Sequence, residues 1–418
     1  MSGRFTGPDG TIKRRRKYAA LACSAGSSQG RDLRKTDVAI VGAGLSGALA
    51  AVMLGRTGHA VALIDPSDAC RPDFRCEKLE EPHVEALRRA GVLAEVLPVT
   101  RRYQDIWVAR LGRLAEVKRI EEYGFEYSAL VNQLRSLIPD SVTFVQGKVM
   151  DVALTPEWQT MTLLGDGTLS ARLVIGANGV MTDFVGTRRE ISRCHSVSIG
   201  FDVEGAAWPF AGLTYFGENP EQRVAYLTLF PLPSGWRVNL FVYRALNDPW
   251  FRRLRNDPAA VIAECLPNLA QFTGALKIQG ALKIRPVDLV ATDNLLQPGI
   301  ALVGDAFSTA CPVSGTGAAK ALLDVERLCN AYVPNWLKTD GMSVEKIGEY
   351  YHDPEKQRSD AHSLRTSVFA KRAALGEGVL WTAFRWSYYA GAQARNLLEH
   401  GALADMPRTD TRKRVAKA

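Results

Sequence analysis

The sequence predicts an α/β protein. A parallel sheet with helices carries an inserted antiparallel sheet, and a helical region closes the chain. Three observations predict this. A β-branched run, Val38-Ala39-Ile40-Val41, enters a Gly42-x-Gly44-x-x-Gly47 turn, a helical stretch from about Ala48 to Thr57, a second apolar run Ala60–Ile64 and an acid, Asp65. Between about 195 and 284 the pattern changes to short alternating runs with no βα alternation. Ala301-Leu302-Val303-Gly304-Asp305 then returns to the buried-strand style and leads into helices.

Strand, glycine turn, helix, strand and acid is the order a dinucleotide site requires. Gly42 permits the sharp turn, Gly44 lets backbone approach a pyrophosphate, and Gly47 lets the helix lie close to the strand. Leu45 and Ser46 open that helix, whose free N–H groups and positive dipole end suit phosphate. Asp65 is placed to accept ribose hydroxyls.

The 418 residues suffice for one large or two ordinary cores. The net charge of +8 lies in the tails, with +7 in residues 1–36 and +4 in 408–418, so the body is slightly acidic. That pattern gives a nucleic-acid face on the folded body no support. Seven scattered cysteines form no Cys-x-x-Cys pair or Cys/His cluster, so no metal site is predicted. Reduced thiols fit the cytoplasm, and no apolar run reaches spanning length.

Along the chain, 1–36 reads as a disordered basic leader, with a faint signal-peptide character in Lys13–Cys23, and order is expected from Thr36. Helices are expected at Pro82–Ala90 and Tyr127–Leu137. Strands are expected at Asp105–Ala109, Leu114–Arg119, Val142–Gln146, Val149–Leu154, Thr160–Leu164 and Leu173–Ile175. The expected division is a discontinuous cofactor domain at 37–195 and 285–340, a substrate domain at 196–284, helices at 341–400 and a basic tail at 401–418.

Four separated segments together resemble the FAD-dependent aromatic hydroxylases, the p-hydroxybenzoate hydroxylase-like flavoprotein monooxygenases, from about 37 to 335. The first is the fingerprint through Asp65. The second is Arg75-Cys76-Glu77-Lys78-Leu79-Glu80 and its helix, where Arg75 supplies a planar charged fork to phosphate. The third is Gly304-Asp305-Ala306, then Pro312 and Gly315-Thr316-Gly317 opening a helix. Asp305 is placed for ribitol hydroxyls, and the helix N-terminus for the flavin N1 and C2 carbonyl. The fourth, Gly176-Ala177-Asn178-Gly179, departs from the family pattern. Asn178 stands in place of Asp, Val185 near the place of an arginine, and Ser308 where His commonly follows. The Asn178 change keeps FAD binding as an expectation and weakens direct reduction by NAD(P)H. Gln133 is expected by position at the diphosphate or ribityl region.

The resemblance implies an FAD-dependent monooxygenase. It would insert one oxygen atom from O2 into an aromatic or polycyclic small molecule through a flavin C4a-hydroperoxide, with NAD(P)H as external reductant. An FAD-dependent reductase or dehydrogenase of an isoprenoid, or a membrane-peripheral flavin protein, is the alternative. No catalytic side chain is assigned. Candidate substrate-wall residues are Tyr215, Tyr226, Phe230 and Trp236, with Lys283 and Arg285 for an acidic group. Trp381, Phe384, Trp386, Tyr388 and Tyr389 read first as packing, against the cofactor domain or a homodimer partner, and second as a membrane-surface contact.

Overall fold

The computed structural model describes residues 32–165, 167–178 and 186–400. Most of the basic leader, the basic tail, Gly179 and Val185 lie outside the described residues.

The first sheet is built on the strand Asp32–Val41, with Val61–Asp65 and Thr168–Gly176 parallel on its two sides. Thr143–Gln146 extends it beyond Val61–Asp65. Ile300–Leu302 joins the C-terminal half of Thr168–Gly176, and the hairpin Val149–Leu154/Gln159–Leu163 joins its other half. Val41 pairs with both Ile64 and Gly176, and Gly176 with Leu302. Four parallel strands therefore end side by side. Gly42, Asp65, Ala177 and Val303 all leave the sheet at its C-terminal edge, where open α/β sheets take their ligands.

Helices Leu45–Arg56, Glu81–Arg89, Tyr127–Ser136 and Gly317–Arg327 bury Leu49, Leu54, Leu87, Leu130, Leu134 and Leu322 in one core with Val38, Ile40, Leu63 and Ile175. The Gly317–Arg327 helix leaves α geometry at Leu328 for one wide turn, and Val333–Trp336 follows. The first strand begins at Asp32, slightly before the expected Thr36.

The second sheet has the order 278–293, 187–203, 235–242, 224–232, 212–216, 106–110, 113–118. It is antiparallel except where Gly212–Phe216 lies beside Ile106–Arg110. The antiparallel layer thus extends beyond 196–284, taking two strands from the first third of the chain. One face carries Val197, Ile199, Phe201, Leu227, Leu229, Val238 and Leu240 against helices Trp250–Asn256, Pro258–Cys265 and Ala270–Thr273. The other carries Ser198, Gly200, Thr228 and Asn239 and turns toward the cofactor half. A Cβ on Gly200 would stand 2.4 Å from the Phe74 ring, so the loop after Asp65 packs directly on this face.

Three helices close the chain: Val344–Tyr351, Pro354–Leu375 and Val379–His400. The last packs on Arg113–Lys118 through Ala115, Tyr389 and Ala392. Trp381, Phe384 and Phe369 form a ring cluster, and Trp386 is exposed. The Tyr388 side chain lies outside the description. No described helix is long and apolar enough to cross a membrane.

Candidate functional site: a cofactor trench under the antiparallel sheet

The first glycine turn is closed by contact. Gly42 has φ +100°, and a Cβ there would stand 2.8 Å from the Asn178 Cβ. A Cβ on Gly47 would stand 1.7 Å from the Gly42 carbonyl oxygen. Gly44 faces open space, with the nearest atom, the Tyr127 hydroxyl, 3.6 Å from a notional Cβ. The helix that follows has no side-chain cap from Gly44; its first amide, Leu45, donates to the Tyr127 hydroxyl at 3.4 Å, and the N-terminus remains a site suited to phosphate.

Asp65 is oriented before any ligand arrives. Its two oxygens accept from the Ala43 amide (2.7 Å) and the Ser67 amide (2.9 Å). A carboxylate has about four acceptor positions, so capacity for ribose hydroxyls remains. Arg135 braces the same turn, donating to the carbonyls of Ala43 (2.8 Å) and Ser67 (2.9 Å). Gln133 does not face this turn; its amide donates to the Glu95 carbonyl at 2.8 Å. Two residues on a helix are about 200° apart, so Gln133 and Arg135 look in nearly opposite directions.

The second turn meets the first. Gly304 has φ +58°, and a Cβ there would stand 2.7 Å from the Ser46 hydroxyl. Asp305, half exposed, lies 3.4 Å from Arg75. Arg75 also donates to Asp73 (2.6 Å) and lies 5.7 Å from the Tyr127 ring centroid. Burial works against its charge, but Asp73, Tyr127 and Asp305 overcome this and hold its pKa above the ordinary value. Gly44, Tyr127, Arg75 and Asp305 thus follow one another along a single trench. Beyond it, Pro312–Ser314 forms a tight turn, Gly315 has φ +69°, and the Gly317–Arg327 helix opens with no side-chain cap. Thr316 is fixed sideways by Ser314 and Ser363, each at 2.8 Å.

These residues fit FAD. A Cβ-free approach and a helix N-terminus suit a pyrophosphate, the Asp65 and Asp305 carboxylates suit the two sugar-like ends, and a second helix N-terminus suits the flavin's pyrimidine edge. An Arg75→Ala change is expected to weaken FAD binding roughly 10- to 100-fold, the range of one charge-assisted hydrogen bond. Quenching of FAD fluorescence on titration into apoprotein measures it.

Cross-strand register decides which wall candidates face the trench. Tyr226 pairs with Phe241, Phe230 with Arg237, and Ser198 and Gly200 with Arg285 and Lys283. Tyr226, Phe230, Lys283 and Arg285 therefore share the cofactor-facing side. Tyr226 donates to the Val313 carbonyl (2.8 Å), joining sheet to second turn. Phe230 is fully buried behind it, stacked on Tyr103. Lys283 and Arg285 line an open hollow of about 360 Å³ with Pro72, Asp73, Phe74 and Ile284. Arg285 already lies 3.3 Å from Asp73. Tyr215 and Trp236 occupy the opposite face and do not line the trench. Tyr215 is fully buried, donating to Glu218 and accepting from the Gly112 amide, and Trp236 meets the Trp208 ring edge-on.

Several charged residues escaped the sequence reading. Glu77 is buried against Arg237 at 3.2 Å. Desolvation pushes its carboxyl up to about 7, with Arg237 and Lys283 pulling the other way. Lys78 lies between Glu80 (3.3 Å) and Glu122 (3.1 Å), and Tyr103 donates to Glu122 at 2.6 Å. Beneath the second turn, Asp324 accepts from the Gly304 amide (3.0 Å), Lys320 (3.2 Å) and Lys356 (2.7 Å). Asp360 lies 3.3 Å from Lys320 and 3.1 Å from Lys356. The only sequence signal for this last group was Lys320 and Asp324, four apart on one helix.

Residues 35–137 match the FAD binding domain family. The chain is 26% identical over 326 residues to the 3-demethoxyubiquinol 3-hydroxylase of Escherichia coli, covering 71% of this chain and 80% of that protein. It is 26% identical over 333 residues to the kynurenine 3-monooxygenase of Salinispora arenicola, covering 70% and 71%. Its fold matches the p-nitrophenol 4-monooxygenase of Pseudomonas putida with a TM-score of 0.70 at 17% identity, over 88% of this chain and 97% of that one. With the matched segment containing the first turn, Asp65, Arg75 and Tyr127, and the fold bringing Asp305 beside Arg75, the chain is an FAD-dependent oxidoreductase similar to flavoprotein monooxygenases, the aromatic hydroxylases among them.

Proposed function

We propose that this protein inserts one oxygen atom from O2 into an aromatic or polycyclic small molecule, with NAD(P)H as the source of electrons. The supporting observation is the seam between the halves. The Tyr226 hydroxyl reaches Val313 in the turn before Gly315, so the side of the antiparallel sheet bearing Tyr226 and Phe241 stands over the turn where the flavin end of FAD would lie. Two of the similar proteins are named for aromatic compounds, kynurenine and p-nitrophenol.

Bound FAD supplies the redox chemistry and the reaction with O2. The chain's own residues do the rest. Asp65, the Gly44 turn and Arg75 would hold the adenosine and pyrophosphate half. Asp305 and the Gly315–Gly317 turn would hold the other. The N-terminus of Gly317–Arg327 would favour negative charge on a flavin held at this turn. The sheet face over the trench excludes water and fixes the substrate.

The test is substrate-dependent oxidation of NAD(P)H under ¹⁸O2. One ¹⁸O atom in the product is expected. Turnover with a reduced, unlabelled product would instead identify a reductase. Coupled to this, Tyr226→Phe removes the bond to Val313 and is expected to lower turnover several-fold with FAD content unchanged. Unaltered turnover removes Tyr226 from the substrate wall.

A further inference from the structure

Lys78 and Glu80 are the charged pair nearest the flavin turn on the sheet side. Glu80 Oε2 stands 4.0 Å from a notional Cβ on Gly315. Both residues sit within the fold, yet their side chains keep 20% (Lys78) and 39% (Glu80) of their exposure. Lys78 lies 5.8 Å from the Phe230 ring centroid. Glu80 and Glu122 are close enough to Tyr226 to raise its phenol above the ordinary range, after burial as the larger cause.

The pair is held from behind. Glu80 caps the Glu81–Arg89 helix by accepting the His83 amide, while the His83 ring accepts the Glu80 amide at 3.1 Å. Lys78 is anchored to Glu122, only 7% exposed and itself fixed by Tyr103. Burial disfavours charge on Glu80, but Lys78, His83 and Lys118 outweigh it and keep its carboxyl below the usual range. Glu80 is therefore an ionised, acceptor-only group at working pH. A carboxylate has about four acceptor positions, so its cap and its ion pair leave capacity for a further donor beside Gly315.

We propose that Glu80 is a specificity-determining residue: it accepts a hydrogen bond from a hydroxyl or amino group carried by the aromatic substrate, with Lys78 holding it in place. The inference rests on the reading that an arene lies between flavin and sheet, and it narrows the substrate to neutral hydroxy- or amino-arenes. A site built around a fixed charged acceptor rejects an analogue that lacks the donor, because the acceptor is then desolvated without a partner.

The experiment uses FAD-loaded protein and two matched pairs whose hydroxyl members stay neutral at working pH, 4-chlorophenol with 4-chloroanisole and 2-naphthol with 2-methoxynaphthalene. Perturbation of the flavin absorption on titration gives each affinity. Wild-type protein is expected to favour the hydroxyl member roughly 10- to 100-fold, the worth of a hydrogen bond to a charged group. Glu80→Ala is expected to bring both members of each pair within about 2-fold, a loss of discrimination that altered helix capping alone does not produce. Glu80→Gln keeps the cap and an acceptor oxygen, so it guards against a folding defect, and it is expected to retain a reduced, several-fold preference. Equal binding of both members by wild-type protein, or an undiminished preference in Glu80→Ala, overturns the role of Glu80 while leaving the monooxygenase reading intact. If no member of either pair binds the yellow protein, the aromatic-substrate reading fails and this inference with it.

Discussion

A Gly47→Ala protein is expected to purify colourless. The added methyl group would stand 1.7 Å from the Gly42 carbonyl oxygen, a backbone atom that cannot rotate away. Gly42 itself cannot retreat: its amide is bonded to the Ile64 carbonyl at 2.8 Å, and its far side meets Asn178. The helix must therefore lift from the strand, and its N-terminal amides leave the phosphate position. The expected cost in stability is about 1–3 kcal/mol, the usual range for overpacking, with FAD affinity falling at least about 100-fold as the amides lose their aim. Gly44→Ala is the informative contrast. Its Cβ would meet nothing closer than the Tyr127 hydroxyl at 3.6 Å, so stability should stay within about 0.5 kcal/mol of wild type. FAD affinity should nevertheless fall, because the methyl group occupies the space the pyrophosphate needs. Thermal unfolding of apoprotein and FAD titration, measured on both variants, separate the two effects.

Asp324→Leu is expected to be the most destabilising change in the second half of the chain. Asp324 is 1% exposed and neutralises two buried lysines, Lys320 and Lys356, with Asp360 as their one other carboxylate partner among the described residues. Removing it leaves buried positive charge against the Phe307 ring, 3.6 Å from the Lys356 ammonium. Breaking a buried pair in this way costs about 3–5 kcal/mol. The Gly304 amide also loses its acceptor, so the second cofactor turn should loosen and FAD affinity should drop with stability. Desolvation works against the charge of Asp324, but Lys320 and Lys356 overcome it and hold its carboxyl below the ordinary value. A carboxylate depressed in the folded state stabilises fully above its unfolded pKa, about 3.9, and ceases to do so as the pH falls through the lower folded value. Wild-type stability should therefore fall below about pH 4, and the Asp324→Leu protein should lose that part of the acid dependence. Urea unfolding at pH 7 and pH 3.5 checks both the size and the sign.

The parts of this molecule that were legible in the sequence are those where one residue type has one physical use. Gly42, Gly44 and Gly47 after a β-branched run, an acid at the end of the next strand, and Gly304-Asp305 ahead of a glycine turn each report backbone geometry, and backbone geometry is local. The fold then places Ser46 against Gly304, a contact across 258 positions that no local pattern encodes. Strand alternation tells which residues share a face but not which face looks at the cofactor. Tyr215 and Trp236 were lost to that ambiguity, and a bulge between Val224 and Tyr226 shifts the parity further. Gln133 and Arg135 show the helical version, where an error of two residues turns a side chain away. Strands Ile106–Arg110 and Arg113–Lys118 join a sheet whose other members come about 70 residues or more later, and only the pairing at Gly212–Phe216 reveals it. Buried charges were the hardest to read. Lys320 and Asp324 suggest a solvated helix face until Lys356 and Asp360 arrive from another helix to enclose them.

The central claim is that two separate glycine turns hold opposite ends of one extended dinucleotide, and comparing FAD with FMN tests it most directly. FMN offers the ribityl and flavin groups to Asp305 and the Gly315 turn but nothing to Asp65. Calorimetric titration of apoprotein should show one FAD bound per chain and FMN weaker by at least about 100-fold, about 2.7 kcal/mol or more of lost contacts at the first turn. Equal affinity for the two flavins, or no binding of FAD, would contradict the account.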